Sequence, residues 1–431
     1  MTAADPARDH VTPYDRFAWS DAQIEAWLLE GAHTGELAAY FGPAEHRALT
    51  RLARRAHGAP LIEDAPRVLI VPGIMGSQLG LRRAAPLPND ILWLDPIDIE
   101  QGRLALLRVG AGAPIVPLGP VLYSHLRLKL ALRACGFTAE FHDYDWRLSV
   151  AQLGRALAER LRSCGRIALV AHSMGGLVAR AALAQPGTTR VERVILLGTP
   201  NRGSFAAVQA LRGTYAVVRK LARLAAQPSA EALSSGVFSS FPSLHDLLPT
   251  GRWPGSGDLL DAAAWPRSGP RPRVELLEQA RSARALLAAP DERFAVIVGI
   301  GQETVTAAAV RGDEFVYTLT RHGDGTVPAA SALLPGASCA YARVAHSDLT
   351  RDPTVAAAVA DLLRRGTTAR LPARWRSASR AAARVSDAQL RRTHAAKVDW
   401  AALSPAARRE FLQNLNEPPQ FRLRLARARR R

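Results

Sequence analysis

The stretch that most constrains this chain is RIALVAHSMGG, residues 166–176. A continuous apolar run, too short for a helix, ends at a serine, and two glycines follow. Such a run is a strand buried on both faces. The glycines let the chain turn at once from that strand into a helix, GGLVARAALAQ (175–185). RVLIVPG (67–73), VERVILLGTP (191–200), FAVIVGIG (294–301) and SCAYARVAH (338–346) have the same strand character, with helical stretches such as LGRALAERLRSC (153–164) between them. Apolar strands alternating with helices specify an α/β fold, a mostly parallel sheet covered on both faces.

Other segments surround this alternation. Residues 14–57 read as helical. SDAQIEAWLLE has a Ser cap at Ser20 and apolar positions at Ile24, Trp27 and Leu28. Residues 95–120 are rich in Gly and Pro and carry exposed-looking apolar residues. Residues 201–290 separate two successive strands, far more chain than a crossover needs. GSFAAVQALRGTYAVVRKLARLAAQ, at its start, is expected as one amphipathic helix. The expected organisation is a helical N-terminal extension (1–65), an α/β domain (66–365) with a lid (about 95–120) and an inserted cap (about 201–290), and an Arg-rich C-terminal extension (366–431).

Charge is concentrated in that last part. The chain carries a net +18, and residues 366–431 hold 16 Lys+Arg against 4 Asp+Glu, a net +12. Three readings compete for this tail: a solvated or partly helical appendage, a contact with an anionic membrane surface, or nucleic-acid binding, for which no recognised module is present. The three cysteines, Cys135, Cys164 and Cys339, have no metal-ligand spacing. They suit a reducing compartment. The N-terminus shows no apolar secretory region. The expectation is a cytoplasmic protein, in contact with membranes if the tail binds lipid. Nothing suggests a metal or organic cofactor, and oligomeric state is not legible.

The chemistry-bearing residues fall at strand ends. Ser173 sits where strand meets helix, the place an α/β-hydrolase fold uses to push a nucleophilic hydroxyl above the sheet. Small residues flank it, Ala171 where glycine is usual and Gly175. In this fold the acid and the histidine follow in chain order. Asp324 lies between two glycines in RHGDGTVP (321–328). His346 ends the last strand and precedes the helix-like TVAAAVADLLRR. His346 would take the serine proton, and Asp324 would orient the imidazole. His172, a strand neighbour of Ser173, should point to the opposite side and read as structural or pocket-lining. Asp348 reads as a helix cap and His322 as a surface histidine. Asp143 and Asp145 precede the serine, the wrong order. For the oxyanion, VLIVPGIMGSQLG (68–80) offers the amide of Ile74 or Met75, to pair with that of Met174.

Taken together, LIVPGIMGSQL (69–79), ILWLDP (91–96), YDWRLS (144–149), ALVAHSMGG (168–176), LLGTPNRGS (196–204), GDGTVP (323–328) and His346 resemble the lecithin:cholesterol acyltransferase family, which also contains lysosomal-type phospholipases. The likeness covers roughly residues 65–365. It implies an α/β-hydrolase fold, Ser173 as nucleophile, Asp324 as acid, His346 as base, and the Ile74 and Met174 amides as oxyanion donors. It also implies Trp93, Met75 and the 95–120 segment near the acyl site. The implied reaction moves an acyl group from a phospholipid or other lipid ester to water or an alcohol. Residues 95–120 contain no cysteine, so the disulfide that staples this segment in secreted members has no counterpart. A carboxylesterase or amidase acting on small soluble substrates, and a catalytically silent scaffold with a polyanion-binding tail, are the rival readings.

Overall fold

The computed structural model describes residues 10–225, 228–253, 255–376, 382–393 and 396–415. Its strands, in chain order, are β1 (Arg67–Val71), β2 (Ser77–Leu81), β3 (Asp90–Trp93), β4 (Val116–Pro120), β5 (Ala139–Phe141), β6 (Ile167–His172), β7 (Val191–Leu197), β8 (Phe294–Gly299), β9 (Thr304–Arg311), β10 (Glu314–Thr320), β11 (Ser338–Ala342) and β12 (Ala383–Ser386). Six of them form one all-parallel sheet in the order β11-β8-β7-β6-β1-β5.

Alternate residues of these strands enter two separate cores. Leu69, Val71, Leu169, Ala171, Val194 and Leu196 pack on one face with the helices Val150–Arg162 and Met174–Leu183. Val68, Ile70, Ala168, Val170, Ile195 and Leu197 pack on the other with Leu122–Ala134 and Pro353–Arg365. This double burial is why the strands read as unbroken apolar runs. Parallel order, crossover helices on both faces and a strand-to-helix turn after β6 make this an α/β-hydrolase fold.

The N-terminal helices Asp21–Glu30, Thr34–Phe41 and Pro43–Gly58 lie against the second core. Ser20 starts the first with a capping box: its side chain accepts from the Gln23 amide, and the Gln23 side chain accepts in return. Two small antiparallel sheets complete the molecule, β3-β2-β4 and β12-β10-β9. Between residues 95 and 120, several apolar side chains that look exposed in the sequence are buried instead. Ile99, Leu104 and Leu107 all join the first core.

In 201–290 the expected single helix is two, Phe205–Leu211 and Ala216–Leu224. Gly213, at φ +69°, breaks it, and a side chain there would press on the backbone at Ala230 and Glu231. Helices Ala230–Gly236, Pro242–Asp246 and Val274–Ala285 follow.

The described part of the Arg-rich extension is docked on the body. β12 pairs with β10, and Asp387 and Arg212 form a fully buried ion pair of 2.9 Å. The extreme tail, 416–431, lies outside the described residues. Among the described residues no helix is long and apolar enough to cross a membrane.

Candidate active site

Ser173 stands at φ +54°, ψ −127°, a conformation that L-residues avoid. The surroundings force it. Its amide donates to Leu197 O (2.9 Å), holding it to β7, while the helix starting at Met174 leaves at once. That helix passes so close to β1 that a Cβ on Gly175 would be 2.4 Å from the carbonyl oxygens of Val71 and Pro72. The two-glycine signature is therefore a clearance requirement.

His346 follows β11 and opens a short turn, His346–Asp348. Its Nε2 lies 2.9 Å from Ser173 Oγ, and its Nδ1 lies 2.7 Å from Asp324 Oδ2. The consistent proton placement has Nδ1–H donating to the carboxylate and Ser173 Oγ–H donating to Nε2.

Asp324 is almost fully buried. Its Oδ1 accepts from the amides of Thr326 (3.0 Å) and Val327 (2.7 Å), and its carbonyl accepts from the His346 amide (2.8 Å). Thr304 Oγ1 accepts from the Gly325 amide at 2.8 Å and so holds the same loop. Strand ends without side chains make room. A Cβ on Gly299 would be 2.5 Å from Asp324 Cβ, and one on Gly198 about as close to Asp324 Oδ2 (3.1 Å) as to His346 Nδ1 (3.2 Å). Sequence reading missed Thr304, Gly198 and Gly299. Glycine ending an apolar run was the available signal.

The turn after β1 is braced from below by the aromatic motifs. Tyr144 O–H donates to Pro72 O (2.5 Å), Trp146 Nε1–H to Ser77 O (3.0 Å) and Trp93 Nε1–H to Met75 O (3.4 Å). Ile74, half-buried, and Met75, at φ +62°, form the turn above and line the cavity. Met174 is the first residue of its helix, where an amide has no intrahelical partner. Trp93 packs edge-on against Trp146 at 5.1 Å and is no part of the cavity wall. It supports the turn instead. No residue of 95–120 lines the cavity either.

The cavity in front of Ser173 and His346 measures about 780 Å³. One wall is apolar: Ala206, Ala207, Ala210, Leu244 and Leu247, all from the 201–290 stretch. Polar side chains line the cavity too, among them Ser124, Arg127, Ser204, Tyr215, Arg343 and Arg351. Arg127 pairs with Glu45 and Arg351 with Asp348.

The other candidates fall elsewhere. Asp348 is not the helix cap. Asp352 is, accepting from the amides of Thr354 (2.8 Å) and Val355 (2.9 Å). The tighter turn at His346 shifts the helix start downstream. His322 is exposed and sits 5.6 Å from the Trp375 ring. Asp143 and Asp145 do not reach the cavity, and Asp145 pairs with Arg147. His172, expected to point away from the site, touches His346: its Nε2 is 3.0 Å from His346 O. Burial, then the neighbouring His346 and His125, hold His172 well below the usual histidine range. Burial likewise pushes His125 down to about 4.

The pattern of one protein family, described as a PGAP1-like alpha/beta domain, matches residues 148–243, which include Ser173. A comparison with curated protein sequences finds no match. Among solved structures, the chain is similar to the Bacillus licheniformis lipase BlEst2 in its propeptide form, at 17% identity and a TM-score of 0.38 over 71% of this chain. The match spans about half of that lipase, 52%. It is also similar to the Tle4–Tli4 complex, at 15% identity and a TM-score of 0.44 over 71% of this chain and 98% of the other. Phospholipase PlaB from Legionella pneumophila matches at 11% identity and a TM-score of 0.31 over 69% of this chain and 56% of that one.

Proposed function

We propose that this protein is a serine acyl-transfer enzyme acting on lipid esters, through an acyl-enzyme on Ser173. The observation that carries the reading is the unbroken series Ser173 Oγ, His346 Nε2, His346 Nδ1, Asp324 Oδ2, with contacts of 2.9 and 2.7 Å. In the first step Oγ attacks the ester carbonyl carbon and His346 Nε2 takes its proton. Asp324 stabilises the imidazolium. The carbonyl oxygen becomes an oxyanion, and the amides of Ile74 and Met174 are its donors, each contributing roughly 3 kcal/mol of transition-state stabilisation. The C–O bond to the leaving alcohol then breaks, and that alcohol takes the proton from Nε2. Water or a second alcohol repeats the sequence on the acyl-enzyme and frees the acyl group.

Three features support a lipid ester over a small soluble one. Residues 201–290 contribute mostly apolar side chains to the cavity, among them Ala206, Ala207, Ala210, Leu244 and Leu247, which suit an alkyl chain. We read that stretch as the cap. The motif order resembles the lecithin:cholesterol acyltransferase family, and we place the chain as a distant relative of it. The net +12 of residues 366–431 suits an anionic lipid surface.

The test is a series of p-nitrophenyl esters from acetate to palmitate. Each methylene buried on the apolar wall adds about 0.8 kcal/mol. Specificity, kcat/KM, should therefore rise by about tenfold per two methylenes until the wall is covered. A maximum at acetate would replace the lipid reading with a general esterase.

A further inference from the structure

His346 is held at three points. Asp324 supplies two, the carboxylate on Nδ1 and the carbonyl on the amide. The third comes from the residue next to the nucleophile: His172 Nε2 lies 3.0 Å from the carbonyl oxygen of His346. A carbonyl only accepts, so Nε2 carries the proton and donates. The His172 ring also lies against the His346 ring, centroids 4.8 Å apart at 38°. The alternation of a strand would send the side chains of His172 and Ser173 apart. The turn at Ser173 changes that. Both reach His346, Ser173 at its ring nitrogen and His172 at its backbone and ring face.

We infer that His172 is a positioning residue. It ties the base to the strand that carries the nucleophile, so that His346 Nε2 stays within proton-transfer reach of Ser173 Oγ. This rests on the acyl-transfer reading above.

A neutral imidazole suits the task. The anchoring group must donate to a carbonyl without setting a permanent positive charge beside a base that itself becomes cationic, so Lys or Arg would oppose catalysis. His172 is buried at the end of β6 beside the cavity, packed against His346 and against His125, whose ring centroid is 5.8 Å away. His125 is fixed behind it, its Nδ1 bonded to Val121 O at 3.2 Å. This burial keeps His172 uncharged and in one tautomer while His346 cycles.

The test compares wild type, His172→Phe, His172→Gln and His172→Asn on one soluble ester, with fluorophosphonate labelling and circular dichroism alongside. Phe keeps a ring but has no donor. Gln places an amide nitrogen near the Nε2 position, and Asn is equally polar but stops short. Small displacements of a catalytic group are penalised heavily, so kcat for His172→Phe should fall by about 10–100-fold while KM changes by less than about threefold. Gln should recover to within about fivefold of wild type, and Asn should not. If Phe fails to fold, the Gln–Asn difference decides alone. Unchanged kcat in His172→Phe, equal loss in Gln and Asn, or a loss confined to KM would overturn the inference. A wild type that is folded yet never labelled would instead defeat the acyl-transfer reading.

Discussion

Ser173→Gly is expected to lose roughly five orders of magnitude in kcat/KM and yet to unfold at a higher temperature than the parent. The two effects share one cause. The hydroxyl is presented by a backbone at φ +54°, ψ −127°, and holding an L-residue there costs about 1–3 kcal/mol. Glycine adopts it with far less strain but gives up to about 1 kcal/mol back through the freer unfolded chain. The net gain should be near 1 kcal/mol, or roughly 2 °C in a chain of this size. Lost turnover with a lower melting temperature would mean that the turn is not strained.

The second large effect lies at a pair that does not line the cavity. Asp387→Ala should destabilise the fold by about 3–5 kcal/mol, because it strands a buried guanidinium. Arg212 and Asp387 are both fully enclosed. Asp387 also accepts from Tyr317 O–H (2.8 Å) and the Phe315 amide (3.2 Å), and Arg212 donates to the carbonyls of Ser268 and Pro270, both at 2.7 Å. One carboxylate thus joins the C-terminal extension, β10 and the 201–290 stretch. Urea unfolding reads the change, while kcat per folded molecule should hold. An unaltered midpoint would show that the docked extension contributes nothing to stability.

What could be read from the chain follows from what is local. β1, β6, β7 and β8 were visible because burial on both faces removes polar residues from four or more successive positions, whereas the edge strand β11 is buried only at Ala340 and Ala342. Ser173 stood out because the close pass of its helix demands Gly175. Asp324 and His346 could be selected from strand ends and chain order, and the structure brings them within hydrogen-bond distance of each other and of the serine. β5 is three residues long and carries no pattern. The Gly213 break looked like helix because its flanks are good helix formers. Asp387 looked like one acid in a basic, solvated tail, and its partner is 175 positions away. The hydrogen bond from His172 spans 174 positions. The resemblance sets Trp93 near the acyl site while its own surroundings in the sequence suit a core or cap aromatic, and only the packing on Trp146 and the bond to Met75 O place it beneath the turn. Contacts of that reach depend on the closed fold, which no window of sequence displays.

The most direct measurement is the intact mass and peptide map of wild-type protein and Ser173→Ala after treatment with a fluorophosphonate. One adduct per wild-type chain, mapped to Ser173, with none on the variant, is the result expected of a hydroxyl activated by His346 and Asp324. A folded wild type left unmodified, or an adduct on another residue that persists in Ser173→Ala, would contradict it.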